Sequence, residues 1–125
     1  MLHRKLMFWG ALHGALAVAM GAFAAHALRP RVTPRELEVF EVGARYHMYG
    51  ALAMLLIALA VERGVASRWP GRFMQAGLVL FCGSLYALAL TGVRGLGAIT
   101  PLGGTCFLLG WLWLAKDALR GRPPG

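Results

Sequence analysis

Four runs of residues without a formal charge, 6–28, 46–61, 73–93 and one opening at Thr100, alternate along this chain with short clusters of arginine and lysine. A helix rises about 1.5 Å per residue, so about 20 apolar residues cross the ~30 Å of hydrocarbon in a bilayer. Inside hydrocarbon every backbone N–H and C=O needs a partner within the protein, and a helix supplies them all from one segment. The pattern predicts an all-α membrane protein, a four-transmembrane-helix bundle in a single integral membrane domain. Spans are expected at about 6–28, 46–62, 73–93 and 100–118, with a short amphipathic interfacial helix at about 34–45 between the first and second. Composition agrees: 58% of the 125 residues are apolar and only 14% charged, far from the balance of a soluble domain.

A net charge of +8 points to nucleic acid in a soluble protein, because clustered cations release counterions from phosphates. Here the cations flank the apolar runs, at Arg4/Lys5, Arg29/Arg31/Arg35, Arg63/Arg68/Arg72 and Lys116/Arg120/Arg122. Anionic head groups and the positive-inside bias select that placement, so the expected partners are membrane lipids and not nucleic acid. Two cations at the N-terminus, three in the second loop and three at the C-terminus oppose four in the first loop and one in the third. A multi-pass protein of the cell (inner) membrane with both termini cytoplasmic follows. Trp9, Trp69, Trp111 and Trp113 then gather at the inner interface and Tyr46 and Tyr49 at the outer one.

Local signals set the helix ends. Thr33-Pro34-Arg35-Glu36 reads as a capping box with proline at the first helical position. The helix it opens should run from Pro34 to about Glu62, with Leu37, Phe40, Ala44 and His47 on one face and Glu38, Glu41 and Arg45 on another. Glu41 stands four residues before Arg45, the favourable order for a pair. Gly64, Pro70 and Gly71 end that helix, and a glycine-rich turn at 92–97 ends the third. Thr100-Pro101 reads as a cap and first turn for the fourth, which stops at Gly121 and two prolines. Arg4 and Lys5 ahead of the first run, with Ala25-His26-Ala27 near its end, imitate a cleaved secretory signal, but the apolar stretch is too long for one.

On the first span Gly10, Gly14, Ala17, Gly21 and Ala25 form a narrow stripe of small residues, and Gly103 and Gly110 make a comparable seam on the fourth. Such seams let membrane helices approach closely, within a subunit or between copies. His13 is the titratable side chain well inside the first span, and ionisable groups in hydrocarbon are costly enough to suggest function. A neutral histidine bonded to a neighbouring helix is the preferred reading, with Ser84 and Tyr86 as candidate partners; Ser84 has its own helix backbone as an alternative. His26 and His47 flank the first loop and are expected to meet near Glu41, Arg45, Tyr46 and Tyr49. A hydrogen-bonded interfacial cluster there ranks ahead of a metal or proton-handling site. His13 and His26 lie about 20 Å apart along one helix, too far to share an ion.

Cys82 and Cys106 show neither CxxC spacing nor neighbouring histidines, so buried thiols are expected rather than a redox motif, a metal site or a disulfide. No hydrolase triad, phosphate loop or paired intramembrane carboxylates appear, which argues against an enzyme and calls for no cofactor. The spans are read as free of Asp, Glu, Lys and Arg, which weakens a transporter of charged ions.

Several ordered groups, Gly21-Ala22-Phe23-Ala24-Ala25-His26-Ala27-Leu28, Phe40-Glu41-Val42-Gly43-Ala44-Arg45-Tyr46-His47, Gly83-Ser84-Leu85-Tyr86 and Thr100-Pro101-Leu102-Gly103-Gly104 followed by Gly110-Trp111, carry a resemblance over nearly the whole chain. Together they resemble the domain of unknown function 423 family, small bacterial inner-membrane proteins similar to a eukaryotic transmembrane protein of comparable size. The resemblance implies four membrane helices and no established activity. It also implies a histidine at position 50, where this chain has glycine. The leading expectation is a non-enzymatic membrane protein acting through helix packing, as a homo-oligomer, an assembly partner of other membrane proteins or a lipid-interacting scaffold. The runner-up is a channel or carrier for a small neutral or weakly polar solute, with His13, Ser84 and Tyr86 on the path.

Overall fold

The computed structural model describes residues 1–120, and the stop expected at Gly121 and its following prolines lies outside them, as does Arg122. Four long antiparallel helices make the bundle: α1 at Leu2–Arg31, α2 at Pro34–Glu62, α3 at Trp69–Thr91 and α4 at Thr100–Arg120. Each is long and apolar enough to cross a membrane. Among the described residues there is no strand.

The helix ends follow from local chemistry. Pro30 lacks an N–H and its ring crowds the carbonyl four residues back, and α1 widens into a π-turn at Ala24–Leu28 before it tightens into a 3-10 turn at Arg29–Arg31 and stops. At the start of α2 the capping box forms: the Thr33 N–H donates to Glu36 Oε1 at 2.9 Å, and the Glu36 N–H donates to Thr33 Oγ1 at 3.1 Å. Gly92 ends α3 in the left-handed region, φ 73°, and its N–H donates to the Leu88 carbonyl at 2.8 Å, a conformation that favours glycine. A second π-turn interrupts α3 at Leu78–Cys82.

α2 and α3 form the centre of the bundle, with α1 packed chiefly on α2 and α4 on α3. One apolar cluster, Leu6, Ala53, Met54, Ile57, Ala58, Met74, Leu78 and Cys82, fills the half nearer the chain ends. A second, Ala24, Leu28, Leu37, Phe40 and Ala89, fills the half nearer the first and third loops. The chain-end half of the bundle is fastened by His3 Nε2 and Glu62 Oε2 at 3.9 Å and by Ser67, whose N–H and hydroxyl both donate to Asp117 Oδ2 at 2.8 Å.

Four local expectations change. Pro34–Glu62 is one continuous helix, as the capping box predicts, but the apolar face of its first turns, Leu37, Phe40, Ala44 and His47, is buried against the bundle rather than laid in the head-group region. Glu41 pairs with Arg29 across the first loop at 3.8 Å, not with Arg45, because the loop brings the two helix ends side by side. Thr100 lies within α4, and its hydroxyl meets Ser84 Oγ at 2.6 Å rather than capping the helix. The fourth span is not free of charge either: α4 carries Lys116 and Asp117 near its end, and Asp117 is buried by its Ser67 partner.

Candidate functional site

Hydrocarbon offers no hydrogen bonds, so polar side chains within the spans must find one another. On α1 the buried residues Leu6, Gly10, His13 and Ala17 recur at helical spacing and face the α2–α3 pair. A Cβ at Gly10 would stand 3.2 Å from the Ala51 carbonyl oxygen. That close approach brings His13, one turn further along, within reach of His47 on α2, and His13 Nδ1 lies 2.9 Å from His47 Nε2. α3 closes both ends of the pair. Gln75 Oε1 is 2.9 Å from His13 Nε2, and the Tyr86 hydroxyl is 2.9 Å from His47 Nδ1. The result is one unbranched chain, Gln75, His13, His47, Tyr86, drawn from three helices.

Proton positions in the chain follow by elimination. A neutral imidazole carries one N–H and one lone pair. With Gln75 Oε1 accepting, His13 Nε2–H donates to it, which leaves His13 Nδ1 to accept from His47 Nε2–H and His47 Nδ1 to accept from Tyr86 O–H. Every link is satisfied with both histidines neutral. No buried side-chain N or O among the described residues lacks a partner.

Gln75 and Tyr86 are eleven residues apart on α3, roughly 16 Å along its axis and so about half the hydrocarbon thickness. A groove of about 660 Å³ between α1 and α3 has Lys5 and Arg72 along it and reaches Gln75. A smaller crevice of about 240 Å³ touches His13, His47, Cys82 and Tyr86. Past Tyr86, Phe40 stacks on its ring with centroids 4.7 Å apart, and the second apolar cluster closes over both.

Other candidate residues are distributed differently from the sequence-based expectation. His26 is exposed and stands apart from His47, because the bundle turns His47 inward to His13 while the end of α1 leaves His26 outside. Tyr46 and Tyr49 contact each other with centroids 5.3 Å apart and line a third groove beside Phe81, Phe107 and Trp111. Arg45 is exposed and Glu41 faces Arg29. Ser84 bonds the Phe81 carbonyl of its own helix and Thr100, not His13. Among the described residues no three His, Cys, Asp or Glu side chains converge as a metal ion would require. Cys82 and Cys106 are free thiols.

Much of the small-residue seam serves packing inside the chain. Gly10 admits α2, Gly103 lets α4 touch the backbone of Phe81, and Gly110 stands against Met74 and the Pro70 carbonyl. Ala17 is buried, Gly14 makes only ordinary contact, a Cβ at Gly21 would meet nothing within 4 Å, and Ala25 is exposed. A Cβ at Gly50 would press on the Leu78 side chain, so the histidine that the resemblance implies there requires Leu78 to move. Gln75, the single glutamine of the chain, was not among the expected site residues; a lone amide just inside the start of an apolar run, three residues after Arg72, is the signal that marks it.

Comparison with other proteins agrees with a membrane protein. The family described as a protein of unknown function, DUF423, matches residues 20–104. The UPF0382 membrane protein YwdK of Bacillus subtilis (strain 168) is 42% identical, covering 89% of this chain and 93% of its own length. A UPF0382 membrane protein of Staphylococcus epidermidis is 43% identical, covering 89% and 92%. The UPF0382 inner membrane protein YgdD of Escherichia coli (strain K12) is 36% identical, covering 100% and 97%. No solved structure matches the chain.

Proposed function

The chain belongs to the DUF423 family of membrane proteins of unknown function, and from that premise we propose that it is a non-enzymatic carrier that binds a small hydrogen-bonding species inside the bilayer. The observation behind this reading is the four-residue polar chain, since four polar side chains in hydrocarbon are costly to keep if they serve packing alone. Its two histidines line a crevice between α1 and α3, which supports an approach of a guest to the pair. The apolar cluster beyond Tyr86 interrupts any continuous polar path, which favours a carrier over an open pore. The groove past Lys5 and Arg72 supplies the approach from the chain-end side.

Proteoliposome uptake tests the reading. Purified protein should accelerate entry of protons or of at least one small neutral solute, such as urea or glycerol, and His13→Gln should abolish the effect while the helical circular dichroism stays unchanged. Uptake equal to protein-free vesicles across that panel would overturn it.

A second reading, association with copies of itself or with other membrane proteins, is favoured by one observation: the stripe on α1 continues past its contact with α2 to Gly21, where a Cβ would meet nothing within 4 Å among the described residues. The both-termini-inside orientation is part of the same proposal, supported by the excess of cations on the chain-end side.

A further inference from the structure

We propose that the species bound is the proton, and that the His13–His47 pair takes up one proton and no more. This rests on the carrier reading above and names its cargo. In the neutral chain Tyr86 donates to His47 Nδ1. When a proton arrives from solvent hydronium, which leaves as water, it occupies His47 Nδ1. The Tyr86 hydroxyl turns, and its oxygen accepts from the new N–H. His47 Nε2–H still donates to His13 Nδ1, and His13 Nε2–H still donates to Gln75 Oε1. The cation is thus held with all its N–H groups paired and no atom displaced except a hydroxyl hydrogen.

A second proton has no such place. It would put N–H groups on both His13 Nδ1 and His47 Nε2, facing each other at 2.9 Å, with two positive charges on adjacent rings. The geometry therefore fixes the capacity at one. It also lets that proton move: shifting the shared hydrogen from His47 Nε2 to His13 Nδ1 transfers the charge to His13 and one helix closer to Gln75.

The surroundings agree with a transient cation rather than a permanent ion pair. On α1 and α3 the groups beside the chain are Cys82, which lines the crevice, and Lys5 and Arg72, which line the groove. On α2, Arg45 is exposed and Glu41 is engaged with Arg29. α4 contributes no titratable side chain to either crevice, and neither crevice is lined by a carboxylate. Nothing lining them is negatively charged to hold the proton permanently, so its binding follows the pH of the solution that reaches the crevice beside His47.

Protein carrying 15N-histidine, reconstituted in lipid and titrated by NMR from pH 8 to pH 3.5, tests the capacity. His13 and His47 should change together over a single one-proton step. Tyr86→Phe removes the oxygen that accepts from the cation, and because charge-assisted bonds are the stronger ones, it should move that step down by roughly one pH unit. Two full independent steps at His13 and His47, or none in this range, would overturn the proposal. Flux separates it from the broader reading. Proton uptake lost in His47→Gln supports both, and solute uptake without proton uptake retains the carrier and removes the proton. A one-proton step with no transport of any kind retains the site and removes the carrier.

Discussion

Asp117 is the residue with the largest local consequence outside the polar chain. Its Oδ2 accepts both the N–H and the hydroxyl of Ser67, so one carboxylate oxygen ties the last turns of α4 to the loop that opens α3. Asp117→Ala leaves the half-buried Ser67 N–H without its acceptor, which costs about 1 kcal/mol; Asp117→Asn, which keeps an oxygen, should cost less. Thermal unfolding in detergent micelles checks the order: the alanine variant should melt lowest, and equal melting of all three proteins would contradict it. Sequence reading missed this contact because Asp117 sits beside Lys116 at the end of an apolar run and looks like a solvated terminus. The polar chain was half legible. His13 and Tyr86 stand out as polar groups in apolar runs, but His47 was assigned to His26 because both flank one loop. Which face of a helix turns inward depends on the close approach at Gly10, and nothing in the spacing of His26 and His47 reports that.

At the scale of elements, the helices were readable because hydrocarbon leaves a segment few alternatives. The buried stripe Leu37, Phe40, Ala44 and His47 was visible as periodicity alone. What periodicity does not supply is register between helices, and glycines set it here. Gly103 shows this most sharply, since a Cβ there would overlap the Phe81 backbone, whereas one at Gly14 would touch Ala51 at 3.9 Å. Gly103→Ala must push α4 off α3, overpacking that costs about 1–3 kcal/mol. Gly14→Ala should be neutral or gain up to about 1 kcal/mol, because alanine is the better helix former. Comparing the two midpoints of unfolding tests the assignment, and a Gly14→Ala loss as large as that of Gly103→Ala would place α1 closer to α2 than described. Gly92 adds a smaller term: with φ 73°, its change to alanine strains the turn by about 1–2 kcal/mol.

For the whole molecule, α1 and α4 lie on opposite sides of the α2–α3 pair and turn most of their surface outward, with Val18 63%, Leu108 64% and Leu112 65% exposed. In a bilayer those faces meet lipid chains or another protein, and Gly21 separates the two outcomes. A Cβ at 21 meets nothing within 4 Å among the described residues, so Gly21→Leu should leave the fold intact; if copies associate through the stripe, crosslinking in membranes should fall several-fold. Unchanged crosslinking would assign that face to lipid. The same antiparallel arrangement also fixes which ends travel together. Leu2, Glu62, Ser67 and Asp117 belong to one end of the bundle, as the His3–Glu62 and Ser67–Asp117 contacts require, and Arg35 and Arg94 line one crevice at the other. Because the cations are more numerous at the first end and resist translocation, green fluorescent protein fused at either terminus should fluoresce in the cytoplasm. Alkaline phosphatase inserted near Arg94 should be active outside it. Neutralising Arg63, Arg68 and Arg72 together removes that excess and should yield a mixed population, a result that would tie orientation to the loop cations rather than to the order in which the spans are made.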